Sequence, residues 1–314
     1  MNKILQTISN IGVIPVIAID DAAKAVPLAR ALADGGLPAA EVTFRTAAAE
    51  DAIKAIAREV PGMLLGAGTV LTTEQADRAM AAGASFIVAP GYDPHVTRHV
   101  IDRGGLMVPG TATAGEMQQA MNQGCEVLKY FPAEANGGVA MLKNIGAALK
   151  GAKWMCTGGV NAKNVNDYLG YSQIVAVGGT WMCKKDLIEA EAWDQITAIC
   201  REAVKTMLGF SLAHVGINCE NESEAEKAAK TLCALFGFDY RAGNSSIFAG
   251  SAVECMKAPY LGKNGHIAIA ANDLDRAVYH LGRQGVEFDE STRKPKAIYL
   301  KDEVGGFAIH LVQK

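Results

Sequence analysis

The chain has 314 residues, half of them hydrophobic, and 33 acidic against 30 basic side chains give a net charge of −3. With no basic surplus to grip a phosphate backbone, nucleic acid is not an expected partner. No uninterrupted apolar run reaches the roughly 18 residues that would cross a bilayer, so a membrane is not expected either. Pro15 and Asp20 interrupt the apolar N-terminal stretch, which argues against a signal peptide. The seven cysteines are odd in number and lack CxxC spacing, a pattern that fits free thiols in a reducing cytoplasm.

From the start to about Leu208, short apolar runs alternate with Ala-rich amphipathic stretches. The runs are "VIPVIAI", "AAEVTFR", "LLGAGTV", "FIVAPG", "LMVPGTA", "VLKYFP", "KWMCTGG" and "IVAVGGT". Eight strand–helix units over residues 1–208 predict an α/β fold of the (β/α)8 TIM-barrel type. A doubly wound open sheet has the same alternation. It explains less well the polar residues at nearly every strand's C-terminal end. Beyond "MLGFSLAH" the texture changes, and residues 209–314 are expected to form a separate small α+β domain. There "AHVGINCENESEAEKAAKTLCALFGF" is echoed by "GHIAIAANDLDRAVYHLGRQGVEF", which predicts two βαβββ modules.

Barrels place reacting groups at the C-terminal ends of their strands. Reading those ends collects Glu41, Arg45, Thr69, Pro90, Thr111, Lys129, Thr157 and the pairs Gly158-Gly159 and Gly178-Gly179. Lys129 lies among Val127, Leu128, Tyr130 and Phe131, where desolvation favours an uncharged amine that can attack a ketone. The alternative for Lys129 is a lysine that snorkels to the mouth and binds an anion. Glu41 suits a general acid/base, or else a structural ion pair to Arg45 or Lys129. Arg45 suits a planar carboxylate. Glycine pairs after the seventh and eighth strands stand where barrels often bind phosphate.

The blocks "EVTFRT", "GAGTVL", "KYFPAEANGG", "TGGV" and "GGTW", in this order at these strands, resemble the 2-keto-3-deoxy-6-phosphogluconate/4-hydroxy-2-oxoglutarate aldolase family over about residues 1–205. The resemblance implies a class I aldolase that needs no metal, acts on a phosphorylated keto acid and assembles as a homotrimer. It implies that Lys129 is the Schiff-base lysine and Glu41 the general acid/base. Arg45, Thr69 and Pro90 would surround the pyruvate carboxylate, with Phe131 in the pocket wall. Thr157, Gly158, Gly159, Gly179 and Thr180 would hold the phosphate. Thr180 replaces a more usual serine, and "PGTATAGE" departs from the family pattern. Two other readings fit a barrel: a sugar-phosphate isomerase or epimerase, and a non-catalytic phosphosugar sensor.

In the C-terminal repeat, His214 aligns with His266 on the first strand of each module, and Glu254 with His310 on the last. Imidazole and carboxylate together suit a first-row divalent metal. The paired βαβββ pattern resembles the vicinal oxygen chelate (glyoxalase-like) superfamily, whose metal ligands occupy those strands. The resemblance implies a site for Zn, Ni, Mn or Fe at His214, Glu254, His266 and His310, with histidine where glutamate is commoner at 310. A metal-free binding or oligomerisation module is the alternative. Trp154, Trp181 and Trp193 read as packing residues, and "STRKPK" at 291–296 as an exposed hairpin loop.

Overall fold

The computed structural model describes residues 2–314, which divide into two compact units, one ending at Met207 and the other Leu208–Lys314. Helix α1, Lys3–Ile11, opens the first unit, with the Asn2 side chain accepting from the Ile4 N–H at its N-terminus. This helix was not among the expected elements. Its buried stripe, Leu5, Ile8 and Ile11, is short and runs straight into the apolar first strand, so its period is hard to separate.

The strands of the first unit are β1 Val13–Ile17, β2 Ala39–Thr43, β3 Leu64–Gly68 and β4 Phe86–Val88. A fifth, β5, comes in two pieces, Met107–Val108 and Gly110–Thr111. Then follow β6 Leu128–Tyr130, β7 Trp154–Thr157 and β8 Ile174–Gly179. Every pairing between them is parallel. Nearly every strand residue is buried, as parallel strands covered on both faces require. The first piece of β5 pairs with β4 and the second with β6, so the sheet comes round on itself through one interrupted strand. Pro109 makes the interruption, because it has no N–H to give to a ladder. Its carbonyl accepts from the Lys129 N–H at 2.8 Å.

Helices α2 Ala25–Asp34, α3 Ala49–Glu59, α4 Thr73–Ala81, α5 Pro94–Asp102, α6 Ala114–Asn122, α7 Gly138–Ala148 and α8 Val165–Leu169 link successive strands. Two more, α9 Lys185–Glu189 and α10 Trp193–Leu208, follow β8. The α/β barrel-like sheet expected from the alternation is therefore present, and its parallel strands bring all their C-terminal ends to one rim.

The second unit is one eight-stranded mixed sheet. Its first half is β9 Ser211–Asn218, α11 Glu222–Phe236, β10 Tyr240–Ala242, β11 Ser246–Ala249 and β12 Val253–Met256. Its second half is β13 Gly265–Ala271, α12 Leu274–Gly282, β14 Phe288–Lys294, β15 Ala297–Val304 and β16 Phe307–Gln313. The first strands of the halves, β9 and β13, pair antiparallel at the centre, and each pairs parallel with the last strand of its own half. Cys219, Ala225, Ala229, Ile247 and Cys255 form a small core beneath α11. Among the described residues, no helix is long and apolar enough to cross a membrane.

Candidate active site and a second donor cluster

Glu41 lies on β2 and Lys129 on β6, 88 residues apart in sequence, and the barrel brings their side chains together. The Lys129 Nζ is 3.0 Å from Glu41 Oε1, with Glu41 fully buried and Lys129 4% exposed. A buried ion pair is weak evidence for stability, because desolvating both charges offsets their attraction. Its presence at the C-terminal rim of a barrel points to chemistry. Glu41 Oε2 is also buried and has no hydrogen-bond partner. An orphaned carboxylate oxygen facing a pocket is a place where a proton can be received.

Close approach of backbone to side chain makes this placement feasible. Gly68 on β3 has room for no Cβ, since one would stand 2.3 Å from Glu41 Oε1. Lys129 is also held over the Phe131 ring, 5.2 Å from its centroid. Around this pair the pocket is lined by Arg45, Thr69, Pro90, Phe131, Thr157, Gly158, Gly159, Gly179 and Thr180, so the barrel residues singled out from sequence share one cavity. The exception is Thr111, whose hydroxyl donates to the Lys129 carbonyl behind the strand.

Arg45 is exposed at the rim, and its Nε donates to Thr43 Oγ1 at 3.2 Å while the Thr43 hydroxyl donates to the Ile17 carbonyl. Thr43 therefore orients the guanidinium. Residues 41, 43 and 45 follow the period of two that aims alternate side chains to one side. Thr69 adopts φ 56°, a left-handed conformation unusual for threonine that occurs disproportionately at functional sites. Gly178, from the second glycine pair, lines the pocket too, as do Val16 and Val160, which carried no recognisable signal in the sequence.

Behind the Gly158-Gly159 turn stands Glu134, from the loop after β6. Its N–H donates to the Gly158 carbonyl at 3.0 Å, and a Cβ on Gly159 would lie 2.5 Å from Glu134 Cγ. The buried Tyr168 hydroxyl donates to the Glu134 carboxylate. Burial, with this bond and the Glu134 charge, pushes the Tyr168 phenol far above its usual range, so it stays a donor.

In the second unit, the register of β12, β9, β13 and β16 sets the four sequence-predicted ligands in two rows. One row reads Glu254, Gly216, His266 and the next His214, Ala268, His310. Small residues alternate with the polar ones and leave space for rings. A Cβ on Gly216 would lie 2.0 Å from His266 Cε1. His214 Nε2 and His266 Nε2 face one another at 3.1 Å, and Glu254 Oε2 is 3.2 and 3.1 Å from them. Donor atoms of His214, His266 and His310 all fall within 4.8 Å of one another. Tyr299 stacks on His310 with centroids 4.5 Å apart.

Electrostatics keep Glu254 and His310 in the forms that donate electron pairs. Burial, with the neighbouring His266 and His214, holds the His310 imidazole down to about 4. Burial would raise Glu254, but hydrogen bonds from His214, His266 and Ser246 outweigh it and hold the carboxyl well below the usual range. The cavity over this cluster has a volume of about 620 Å³, within the range of small-molecule sites. Residues 291–294, read from sequence as an exposed hairpin loop, are instead on strand β14 and line this cavity. Polar, charged composition alone resembled a loop, and only strand pairing shows otherwise.

The first unit has close relatives among known proteins. The family described as "Aldolase: KDPG and KHG aldolase" matches residues 4–199. The 2-dehydro-3-deoxy-phosphogluconate aldolase of Treponema pallidum is 42% identical over 205 residues, covering 65% of this chain and 98% of that protein. The KHG/KDPG aldolase of Escherichia coli K12 is 40% identical over 193 residues, covering 62% and 91%. A crystal structure of the KDPG aldolase of Legionella pneumophila, with pyruvate captured as a covalent carbinolamine, superposes with a TM-score of 0.62 at 35% identity. It covers 64% of this chain and 98% of that one. On this match across most of its length, the chain belongs to the KDPG and KHG aldolase family and is an enzyme of the class I aldolase type.

Proposed function

We propose that the first unit reversibly cleaves 2-dehydro-3-deoxy-6-phosphogluconate to pyruvate and glyceraldehyde 3-phosphate, and 4-hydroxy-2-oxoglutarate to pyruvate and glyoxylate. The observation that carries this reading is the buried Lys129–Glu41 contact of 3.0 Å at the base of the pocket. Lys129 attacks the C2 ketone, and loss of water from the carbinolamine leaves an iminium. With the iminium as electron sink, the bond between C3 and C4 breaks as Glu41 takes the C4 hydroxyl proton, directly or through a water. The aldehyde leaves, the enamine is protonated at C3, and water releases pyruvate. Arg45 would pair with the substrate carboxylate at the rim, and Thr157, Gly158, Gly159, Gly179 and Thr180 would cradle the phosphate. A coupled assay for pyruvate release tests this. Release from neither substrate would leave the sensor reading.

Tyr168 separates phosphate binding from chemistry, because it acts on the Gly158-Gly159 turn only through Glu134. Tyr168→Phe removes a hydrogen bond to a charged group, and the KM for the phosphorylated substrate is expected to rise about tenfold. Its kcat, and both constants for unphosphorylated 4-hydroxy-2-oxoglutarate, are expected to stay near those of the parent enzyme. Steady-state kinetics on the two substrates check this. By likeness to the family we assign a homotrimer, measurable by light scattering, and the seven free cysteines fit a cytoplasmic setting.

For the second unit we propose a vicinal oxygen chelate-like domain with a divalent metal held by His214, Glu254, His266 and His310. Two imidazole nitrogens 3.1 Å apart need a shared proton or a cation between them. Ligands about 2.0–2.2 Å from a metal lie about 3.0–3.5 Å from one another, as His214, His266 and Glu254 do. Both ring nitrogens of the buried His310 lack a partner, which fits a donor awaiting an ion. A bound ion would supply Lewis acidity to an oxygen ligand. Elemental analysis of untagged protein is expected to find about one equivalent of Zn, Ni, Mn or Fe per chain, lost in Glu254→Ala/His266→Ala. Equal metal content in the two proteins would leave the metal-free module.

A further inference from the structure

The cavity of the second unit has a charged wall that the donor cluster leaves unused. Ser291, Thr292, Arg293 and Lys294 are consecutive on β14, where a regular strand would send alternate side chains to opposite faces. All four line the cavity. Pairing of β14 with β15 loses register between Asp289 and Lys294. Thr292 braces this irregular stretch, donating to the Asp289 carbonyl at 2.7 Å and accepting from the Tyr299 N–H at 3.0 Å. Irregularities of this kind beside a site re-aim side chains. The counterpart strand in the other half, β10, sends no cation into the cavity, and only Ser245 beyond its end lines it.

Charge on the wall is unbalanced. Glu254, the only carboxylate in the lining among the described residues, is already engaged by His214, His266 and Ser246. Arg293 is paired with Asp275 and Glu290. Lys294 is exposed, lines the cavity and has no acidic partner among the described residues. With a divalent ion held against the single carboxylate of Glu254, the cluster and Lys294 would together carry net positive charge, which a neutral ligand would leave uncompensated.

We propose that the cavity is a second ligand site for a small oxyacid with at least two negative charges, its anionic end held by Lys294 and the metal-binding cluster and its hydroxyls by Ser291 and Tyr299. Phosphorylated sugar acids belong to this class. The inference rests on the metal reading above, and the experiment separates the two. Full-length protein loaded with cobalt(II) is titrated with 6-phosphogluconate while its visible absorption is recorded, since that absorption reports this cavity and not the barrel. A saturable spectral change is expected, with none from glucose at equal concentration. Lys294→Met, an exposed substitution, is expected to weaken binding about tenfold or more at unchanged cobalt content. Cobalt uptake with no response to 6-phosphogluconate, an equal response to glucose, or unchanged affinity in Lys294→Met overturns the inference and leaves the metal reading standing. Failure to take up cobalt overturns both.

Discussion

Borohydride added to the enzyme in the presence of pyruvate is expected to attach a three-carbon fragment irreversibly to Lys129. Reduction of an iminium leaves a secondary amine that cannot hydrolyse, and peptide mass mapping locates it. Among the described residues, Lys129 is the only lysine lining the barrel pocket, and its buried side chain lies against Glu41 and the Phe131 ring. Lys129→Ala is expected to lower kcat by about 10³–10⁶-fold, the range seen when a covalent nucleophile is removed. Trapping is done on the parent protein, so it stands even if the variant folds poorly. An unlabelled Lys129, or substantial activity in Lys129→Ala, would sink the Schiff-base mechanism and favour an isomerase or epimerase.

The second large effect is expected at Glu41. Glu41→Gln keeps the size of the side chain and a hydrogen bond to Lys129, but takes away the oxygen that moves the proton. Loss of a positioned general acid/base lowers kcat by about 10²–10⁴-fold. KM is expected to change much less, because Glu41 has no part in holding the carboxylate or phosphate. A purely structural ion pair would behave differently, since neutralising it would alter thermal stability while leaving kcat near that of the parent. Measuring kcat and the melting temperature on the same preparation distinguishes these outcomes.

Much of the barrel was legible in the sequence because parallel strands buried on both faces must read as apolar runs. "IVAVGGT" and "VLKYFP" have no other simple interpretation as part of an alternating chain. The interruption of β5 was less visible. Pro109 marks a break, but its consequence, one strand pairing in two pieces, depends on neighbours far away in sequence. In the second unit the internal repeat pointed to His214, His266, Glu254 and His310. Nothing in "STRKPK" distinguished a lysine on a cavity wall from one on a loop.

By itself, then, the sequence determined which segments of the first unit are strands, which residues stand at their ends and how often the pattern repeats, because burial and local geometry are written in residue type and period. Tertiary structure alone decided which of those ends meet. Glu41 and Lys129 become a contact only when the sheet closes, and Lys294 shares a cavity wall with Ser291, Thr292 and Arg293 where β14 loses register with β15. Distances between residues far apart in the chain are set by packing and pairing, which no local pattern encodes.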